Sequence, residues 1–122
     1  MRRAAAALLG FRVAYGVALL VAPGKVAGNR WLGPGARQPA AEVALRGLGA
    51  REVAVHAIAL ARLARREPIR PFLAASIIGD LADVGAAVIS RDGLPDGSPA
   101  ATAAVAGGSA ALTAAVAATL DE

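Results

Sequence analysis

The chain has 122 residues, of which 57% are hydrophobic and 3% aromatic, and it carries a net charge of +4. This is the length of one domain and is more apolar than an ordinary soluble domain, so we expect a single integral-membrane domain over residues 1–122. The basic residues are scattered between apolar segments instead of forming one stripe, which disfavours nucleic acid as a partner. The absence of Cys excludes a thiol nucleophile, and the single His excludes a His-rich metal site.

The chain contains four apolar segments: residues 4–21, 40–60, 72–90 and 100–120. Each is near the length of about 20 residues that crosses a hydrocarbon core. Linkers rich in Pro, Gly and charge separate them, and such residues break helices. The sequence therefore predicts an all-α fold, a bundle of four transmembrane helices in the lipid bilayer. The N-terminus is similar to a signal peptide, but Arg12 inside its apolar stretch favours a retained first helix.

The linkers predict the orientation of these helices. With four spans, the N-terminus shares a side with the second linker, and this side has six basic residues: Arg2, Arg3, Arg62, Arg65, Arg66 and Arg70. The other side has four: Lys25, Arg30, Arg37 and Arg91. Because the more basic side faces the cytoplasm, we expect a multi-pass protein of the cell membrane with both termini cytoplasmic.

Three of the four segments carry ionisable residues near their middle: Arg12 in the first, Arg46, Arg51, Glu52 and His56 in the second, and Asp80 and Asp83 in the third. Each charge at a helix centre costs about 2.5–3.5 kcal/mol on insertion scales, so these side chains are expected to face inward and pair. We expect Asp80 to pair with Arg51 first and with Arg12 second, since antiparallel packing brings them to similar depth.

Helical periodicity groups these residues by face. Asp80 and Asp83 lie about 60° apart, and Arg12 shares a stripe with Tyr15. On the second helix Glu52 shares a sector with Arg46 and His56, whereas Arg51 points nearly opposite. That helix is therefore polar on two sides, so it either lies between two neighbours or contacts a second copy, which leaves a homo-oligomer open.

The fourth segment has no charged residue. Its Ala103, Gly107 and Ala111 follow at four-residue spacing, a pattern that allows helix backbones to approach closely. We expect this stripe to pack against another helix.

Asp80-x-x-Asp83 resembles the magnesium-binding aspartate pairs of prenyl-transferring and CDP-alcohol-transferring membrane enzymes. Both families need further acidic or Gly and Arg positions that are absent here, so no metal and no cofactor are expected. Taken over nearly the whole chain, the sequence resembles small four-helix integral-membrane proteins that are DoxX-like in appearance. The resemblance is carried by Arg12, by ALRGLGAREVAVHAIAL (44–60) and by RPFLAASIIGDLADVG (70–85). The resemblance implies a topology but does not imply a particular reaction.

The charged layer suits acid–base chemistry on a lipophilic substrate. Two neighbouring carboxylates raise one another's pKa, so one acts as general acid while the other stays ionised as base. The constellation is similar to the Asp–Arg–Asp set of soluble epoxide-opening hydrolases, and it predicts epoxide opening, hydrolysis or cyclisation of an isoprenoid, polyketide, quinone or fatty-acid derivative. The candidate catalytic residues are Asp80, Asp83, Arg51, Glu52 and His56, and the candidate substrate-binding residues are Arg12, Tyr15, Arg46 and Ser76.

Three non-catalytic interpretations stay open beside this one. The charges form a buried ion-pair network that only sets helix register, the protein is an accessory or scaffold subunit of a membrane complex, or the ionisable residues line a proton or ion path in an oligomer. An enzyme predicts that Asp80, Asp83 and an arginine converge on unfilled space. A structural network predicts that the charges saturate one another.

Overall fold

A computed structural model describes residues 1–122, and it contains helices and turns but no strand. The predicted all-α class is confirmed. The helices are α1 (Arg2–Val21), α2 (Pro23–Ala27), α3 (Pro39–Ala64), α4 (Arg70–Ile89) and α5 (Ser98–Ala118), with 3₁₀ turns at Gly33–Arg37 and Arg91–Gly93. The four long helices coincide with the four predicted segments, while the short α2 lies in the first linker and was not predicted.

Proline marks the start of four helices, because the first turn of a helix contains N–H groups that have no partner within it. The prolines at these first-turn positions are Pro23, Pro39, Pro71 and Pro99. The end of α3 is set by Arg66, whose φ of 60° is left-handed. The N–H of Glu67 donates to the Arg62 carbonyl at 2.9 Å and the N–H of Arg66 donates to the Leu63 carbonyl at 3.1 Å, the pattern of a Schellman motif.

Successive long helices run in opposite directions, so both termini lie at one end, here called the terminal end. The opposite end, called the linker end, holds residues 22–38 and 90–97. At the terminal end the Arg2 guanidinium donates to the Leu63 carbonyl, which joins α1 to α3. The carboxylate of Glu122 accepts the N–H groups of Ile69 at 2.7 Å and Arg70 at 3.0 Å, which joins the C-terminus to the start of α4.

The long helices form two closely packed pairs, α1 with α3 and α4 with α5. In the first pair the backbones touch at Gly16 and Gly49. A Cβ at Gly16 would lie 2.8 Å from the Gly49 carbonyl oxygen, and a Cβ at Gly49 would lie 2.6 Å from the Gly16 carbonyl oxygen. Only glycine at both positions allows this approach.

Apolar side chains join the two pairs at the terminal end only. A buried cluster there draws on all four long helices and their immediate flanks: Ala5, Leu9, Ala59, Leu63, Ile69, Leu73, Val116 and Leu120. A second buried cluster packs the first linker onto α1 and α3: Leu19, Ala27, Ala36 and Leu45. It does not include α4 or α5, so the pairs are not joined by a comparable apolar core at the linker end.

Large apolar side chains cover the outside of the molecule. Phe11 is 69% exposed, Ile89 is 85% exposed and Val105 is 74% exposed. By length and composition α1, α4 and α5 can each cross a membrane. The helix α3, which carries Arg46, Arg51 and Glu52 along its middle, is not among them. The structure is therefore compatible with a membrane protein, and the fourth span remains a prediction.

The expected close contact along α5 is wrong. Ala103 and Ala111 are exposed, and nothing lies within 4 Å of a Cβ built at Gly107. The buried face of α5 instead contains Thr102 and Thr113, because hydroxyl groups on this helix face the polar interior. The close helix contact of this fold is the glycine pair of α1 and α3.

Gly16→Ala is expected to lower the free energy of unfolding by about 1–3 kcal/mol, because the added methyl overpacks a backbone contact. Gly10→Ala is the matched control on the same helix, since nothing lies within 4 Å of its Cβ and Ala gains about 1 kcal/mol of helix propensity over Gly. Thermal unfolding of both variants in detergent measures the difference. Equal melting temperatures would show that α1 and α3 do not touch at this point.

Candidate functional site

The guanidinium of Arg12 on α1 contacts the other three long helices. Its Nε and Nη2 donate to the two carboxylate oxygens of Glu52 on α3, at 2.9 and 3.0 Å. Its Nη1 donates to the Asp80 carboxylate on α4, at 2.8 and 3.0 Å, and to Oγ of Ser109 on α5, at 2.7 Å. We call these four residues the Arg12 cluster. A planar fork of donors makes this possible, since a Lys ammonium has no such bidentate geometry.

The Arg12 cluster lies midway along every long helix. In α1, residues 2–11 precede Arg12 and 13–21 follow it, and in α4, residues 70–79 precede Asp80 and 81–89 follow it. Glu52 and Ser109 are similarly central in α3 and α5. At a rise of about 1.5 Å per residue, Arg12 is about 15 Å from either end of its helix, which is half the thickness of a hydrocarbon core.

The members of the Arg12 cluster use their hydrogen-bonding capacity on one another. Arg12 is 7% exposed and Asp80 is 4% exposed. No buried side-chain nitrogen or oxygen atom lacks a hydrogen-bond partner. A charged group is stable in such a place only when it is paired in this way. The cluster therefore acts as a structural junction between the helices.

His56 lies one turn from Glu52, toward the terminal end, and extends the polar layer. Its Nδ1 donates to the Glu52 carbonyl at 2.7 Å, because a carbonyl oxygen can only accept. In a neutral imidazole Nε2 then accepts the hydroxyl of Ser76 on α4, at 2.9 Å. His56 and Ser76 thus form a second polar bridge between α3 and α4. Beyond it the buried apolar cluster closes the terminal end.

A cavity of about 480 Å³ lies on the linker side of the Arg12 cluster. Its apolar walls come from the first linker and from α5: Val26, Trp31, Ala101, Val105 and Ala106. Its polar lining comprises Tyr15, Asn29, Arg30, Asp83 and Thr102. No residue of α3 lines it. The cavity occupies the region where the two helix pairs share no apolar core.

Asp83 and Tyr15 are the polar groups of the cavity nearest the Arg12 cluster. Each lies three residues beyond a cluster member, Asp83 beyond Asp80 and Tyr15 beyond Arg12, which is about 4.5 Å along a helix axis. Asp83 is half-buried, and it accepts none of the hydrogen bonds that hold the Arg12 cluster. It is the one carboxylate of the cavity lining, and it is available to a bound molecule.

Seven of the nine residues selected from the sequence lie in this region. Arg12, Glu52 and Asp80 belong to the Arg12 cluster, and Tyr15 and Asp83 line the cavity. The bridge of His56 and Ser76 adjoins the cluster. Two residues, Arg51 and Arg46, lie outside it.

The expected pairing of Asp80 with Arg51 is wrong, and the second choice, Arg12, binds Asp80 instead. Arg51 is exposed, since it lies about 100° around α3 from the inward-facing Glu52. Arg46 is also exposed and faces the linker end. It donates to the Glu42 carboxylate at 3.1 Å and to the Leu20 carbonyl at 3.2 Å, so neither arginine reaches the cavity.

The contribution of α5 to the site was not predicted from the sequence. Ser109 belongs to the Arg12 cluster and Thr102 lines the cavity. With Thr113 they form one stripe, at spacings of seven and four residues, which helical periodicity places on one face. This stripe of hydroxyl residues is a weak indication of a site, because hydroxyl residues are common in apolar helices and carry no charge. No group of three or more His, Cys, Asp or Glu residues is placed to hold a metal ion.

Arg12→Leu is expected to lower the free energy of unfolding by about 3–5 kcal/mol, because it leaves the buried Asp80 carboxylate and the half-buried Glu52 carboxylate without their cation. Thermal unfolding in detergent measures this. Arg51→Leu is the matched control, since it removes the same side chain at similar depth from an exposed position, and its melting temperature should equal that of the wild type.

Replacing the arginine together with both carboxylates tests whether unpaired charge causes the loss of stability. Arg12→Met combined with Glu52→Leu and Asp80→Leu should recover much of the loss, because matched apolar residues substitute for buried ion pairs in other proteins. If the Arg12→Leu variant has the melting temperature of the wild type, the Arg12 cluster does not join the helices.

Comparison with known proteins adds no further assignment. No protein-family model, curated protein or solved structure matches this chain. The resemblance to DoxX-like proteins, carried by Arg12 and the two quoted stretches, therefore stays a prediction.

Proposed function

We propose that the protein is an integral-membrane protein of the cell membrane with its four long helices crossing the bilayer. The exposed apolar side chains and the span length of α1, α4 and α5 support this proposal. The helix α3 fits the same arrangement because it turns Glu52 and His56 inward to partners on α1 and α4. The topology is the one that the resemblance to DoxX-like proteins implies.

Both termini are proposed to be cytoplasmic, because the terminal end carries more arginine than the linker end. A protease-sensitive tag placed at either terminus should be protected in sealed cells and cleaved after permeabilisation. Tags on opposite sides of the membrane would contradict an even number of spans. A tag inserted after Gly35, in the first linker, serves as the control and should be cleaved in intact cells.

Within this arrangement the protein binds a lipophilic small molecule in the cavity beside the Arg12 cluster. The observation that carries this proposal is an apolar-walled cavity whose lining contains one free carboxylate, that of Asp83. Its volume of about 480 Å³ falls in the range of about 300–1,000 Å³ that is usual for small-molecule sites. Val105, which lines the cavity, is 74% exposed, so a molecule from the bilayer can enter sideways.

The chemistry best suited to this site is acid–base catalysis by Asp83. A protonated Asp83 gives its proton to a substrate oxygen, such as that of an epoxide, as the carbon–oxygen bond breaks. Water or an internal hydroxyl attacks the carbon, and the proton that it loses returns to Asp83. Arg12 and Asp80 do not touch the substrate in this scheme and act as positioning residues for α1 and α4. Epoxide opening, hydrolysis and cyclisation of an isoprenoid, polyketide, quinone or fatty-acid derivative all fit this class.

A non-catalytic accessory subunit is the second candidate. It is favoured by the Arg12 cluster, in which Arg12, Glu52 and Asp80 bind one another instead of a ligand. In that case the cavity holds a lipid without converting it. A proton path through one chain is disfavoured, because the apolar cluster around Leu9 and Leu73 closes the polar interior at the terminal end.

Ala106→Leu is expected to abolish ligand retention, because the larger side chain fills the cavity that Ala106 lines. Native mass spectrometry of protein extracted from its own membrane should detect a bound lipophilic molecule in the wild type and not in this variant. Ala104→Leu is the matched control, since Ala104 is exposed on the same helix and does not line the cavity. Equal retention by both variants, or none by the wild type, would overturn the proposed binding.

The same measurement on Asp83→Asn separates the two candidates. Asn keeps the shape of the side chain and removes the acid. An enzyme should then retain unconverted substrate, because conversion stops. After hydrolysis this molecule differs in mass from the one held by the wild type, and after cyclisation it is an isomer that chromatography of the released molecule separates. An accessory protein should retain the same molecule in both.

A further inference from the structure

Arg51 lies in the middle of α3 on a face that no other part of the chain covers. Residues 39–50 precede it in the helix and residues 52–64 follow it. Its side chain is exposed, and it takes part in none of the salt bridges of the structure. The other arginine on this stretch, Arg46, is paired with Glu42. Arg51 is therefore an unpaired cation at the centre of a long helix.

Arg51 cannot reach water along the helix if α3 crosses the bilayer. At about 1.5 Å per residue it is about 18–20 Å from either end of α3, and long basic side chains reach the interface only from positions near helix ends. The helix is also held in place, because Gly49 packs on Gly16 and Glu52 is bound to Arg12. A carboxylate supplied from outside the chain would compensate the charge at that depth.

The surface around Arg51 has the form of a helix-packing seam. Its residues follow one another at spacings of three, four, three and four: Ala44, Gly47, Arg51, Ala54 and Ile58. This is the repeat of positions that face a neighbouring helix. The residues that flank Arg51 are small, and nothing lies within 4 Å of a Cβ built at Gly47, so another backbone can approach closely.

We propose that this face of α3 binds a transmembrane helix of a different membrane protein, which carries an Asp or Glu at mid-bilayer that pairs with Arg51. The proposal rests on the proposed membrane insertion and is independent of the cavity. A second copy that packs through the same face of α3 does not supply the carboxylate. Its Glu52 and Asp80 are bound by its own Arg12, and its Asp83 lines a cavity to which α3 contributes no residue. A carboxylate matches the guanidinium in charge and in bidentate geometry.

Model helices test this pairing without knowledge of the natural partner. The protein is reconstituted in vesicles with a synthetic Leu/Ala transmembrane peptide that has Asp at its centre, or with the same peptide carrying Leu there, and association is measured by energy transfer between fluorophores. We expect the Asp peptide to bind at least tenfold more tightly than the Leu peptide. Arg51→Leu should remove this preference, and Arg46→Leu, the control, should keep it.

The outcomes separate this proposal from the one on which it rests. Alkaline carbonate extraction first tests insertion, and a chain that leaves the vesicles overturns both. An inserted chain that binds both peptides equally, or whose Arg51→Leu variant still prefers the Asp peptide, overturns the pairing alone. Self-association that Arg51→Leu abolishes in the absence of peptide would also overturn it, because a second copy would then be the partner.

Discussion

The guanidinium of Arg12 determines how the four long helices are arranged, because its N–H donors bind side chains on the other three. Arg12 uses two nitrogens on Glu52 and the third on Asp80 and Ser109, so a single side chain contacts α3, α4 and α5. The two close helix pairs otherwise share an apolar core only at the terminal end. Between helices in a bilayer, where lipid is as apolar as the side chains, packing and hydrogen bonds decide association. An arginine midway along the helices thus joins the two pairs where no apolar core does so.

Saturation of the Arg12 cluster has a consequence for function. Glu52 and Asp80 are already paired with Arg12, which leaves Asp83, one turn away in the cavity, as the carboxylate on which the proposed chemistry depends. The proposed ligand site is therefore separate from the cluster that joins the helices. The apolar cluster at the terminal end closes the interior beyond His56, which favours the proposed ligand site over a path through the chain.

The helix α3 connects the interior to the outer surface. Its inner face gives Glu52 to Arg12 and packs Gly49 on α1, while its outer face presents Arg51. Ionisable groups inside a membrane are costly and are retained where they have a partner. The proposed ligand site and the proposed partner helix would thus lie on opposite sides of α3. The same charged residues make α3 the one long helix that is not apolar enough by composition to cross a membrane.

The sequence by itself determined the helices and the depth of the charged layer, because apolar length and helix punctuation are local properties of the chain. Periodicity also placed Glu52 with His56 and Asp80 with Asp83, since angles within one helix follow from residue number. Only the tertiary structure decided that Arg12 rather than Arg51 binds Asp80, that Ser109 completes the cluster, and that the stripe around Gly107 faces outward. Those choices depend on the rotation of each helix toward its neighbours. That rotation is set by contacts between residues far apart in the chain, such as Gly16 with Gly49, and no pattern within a single helix contains it.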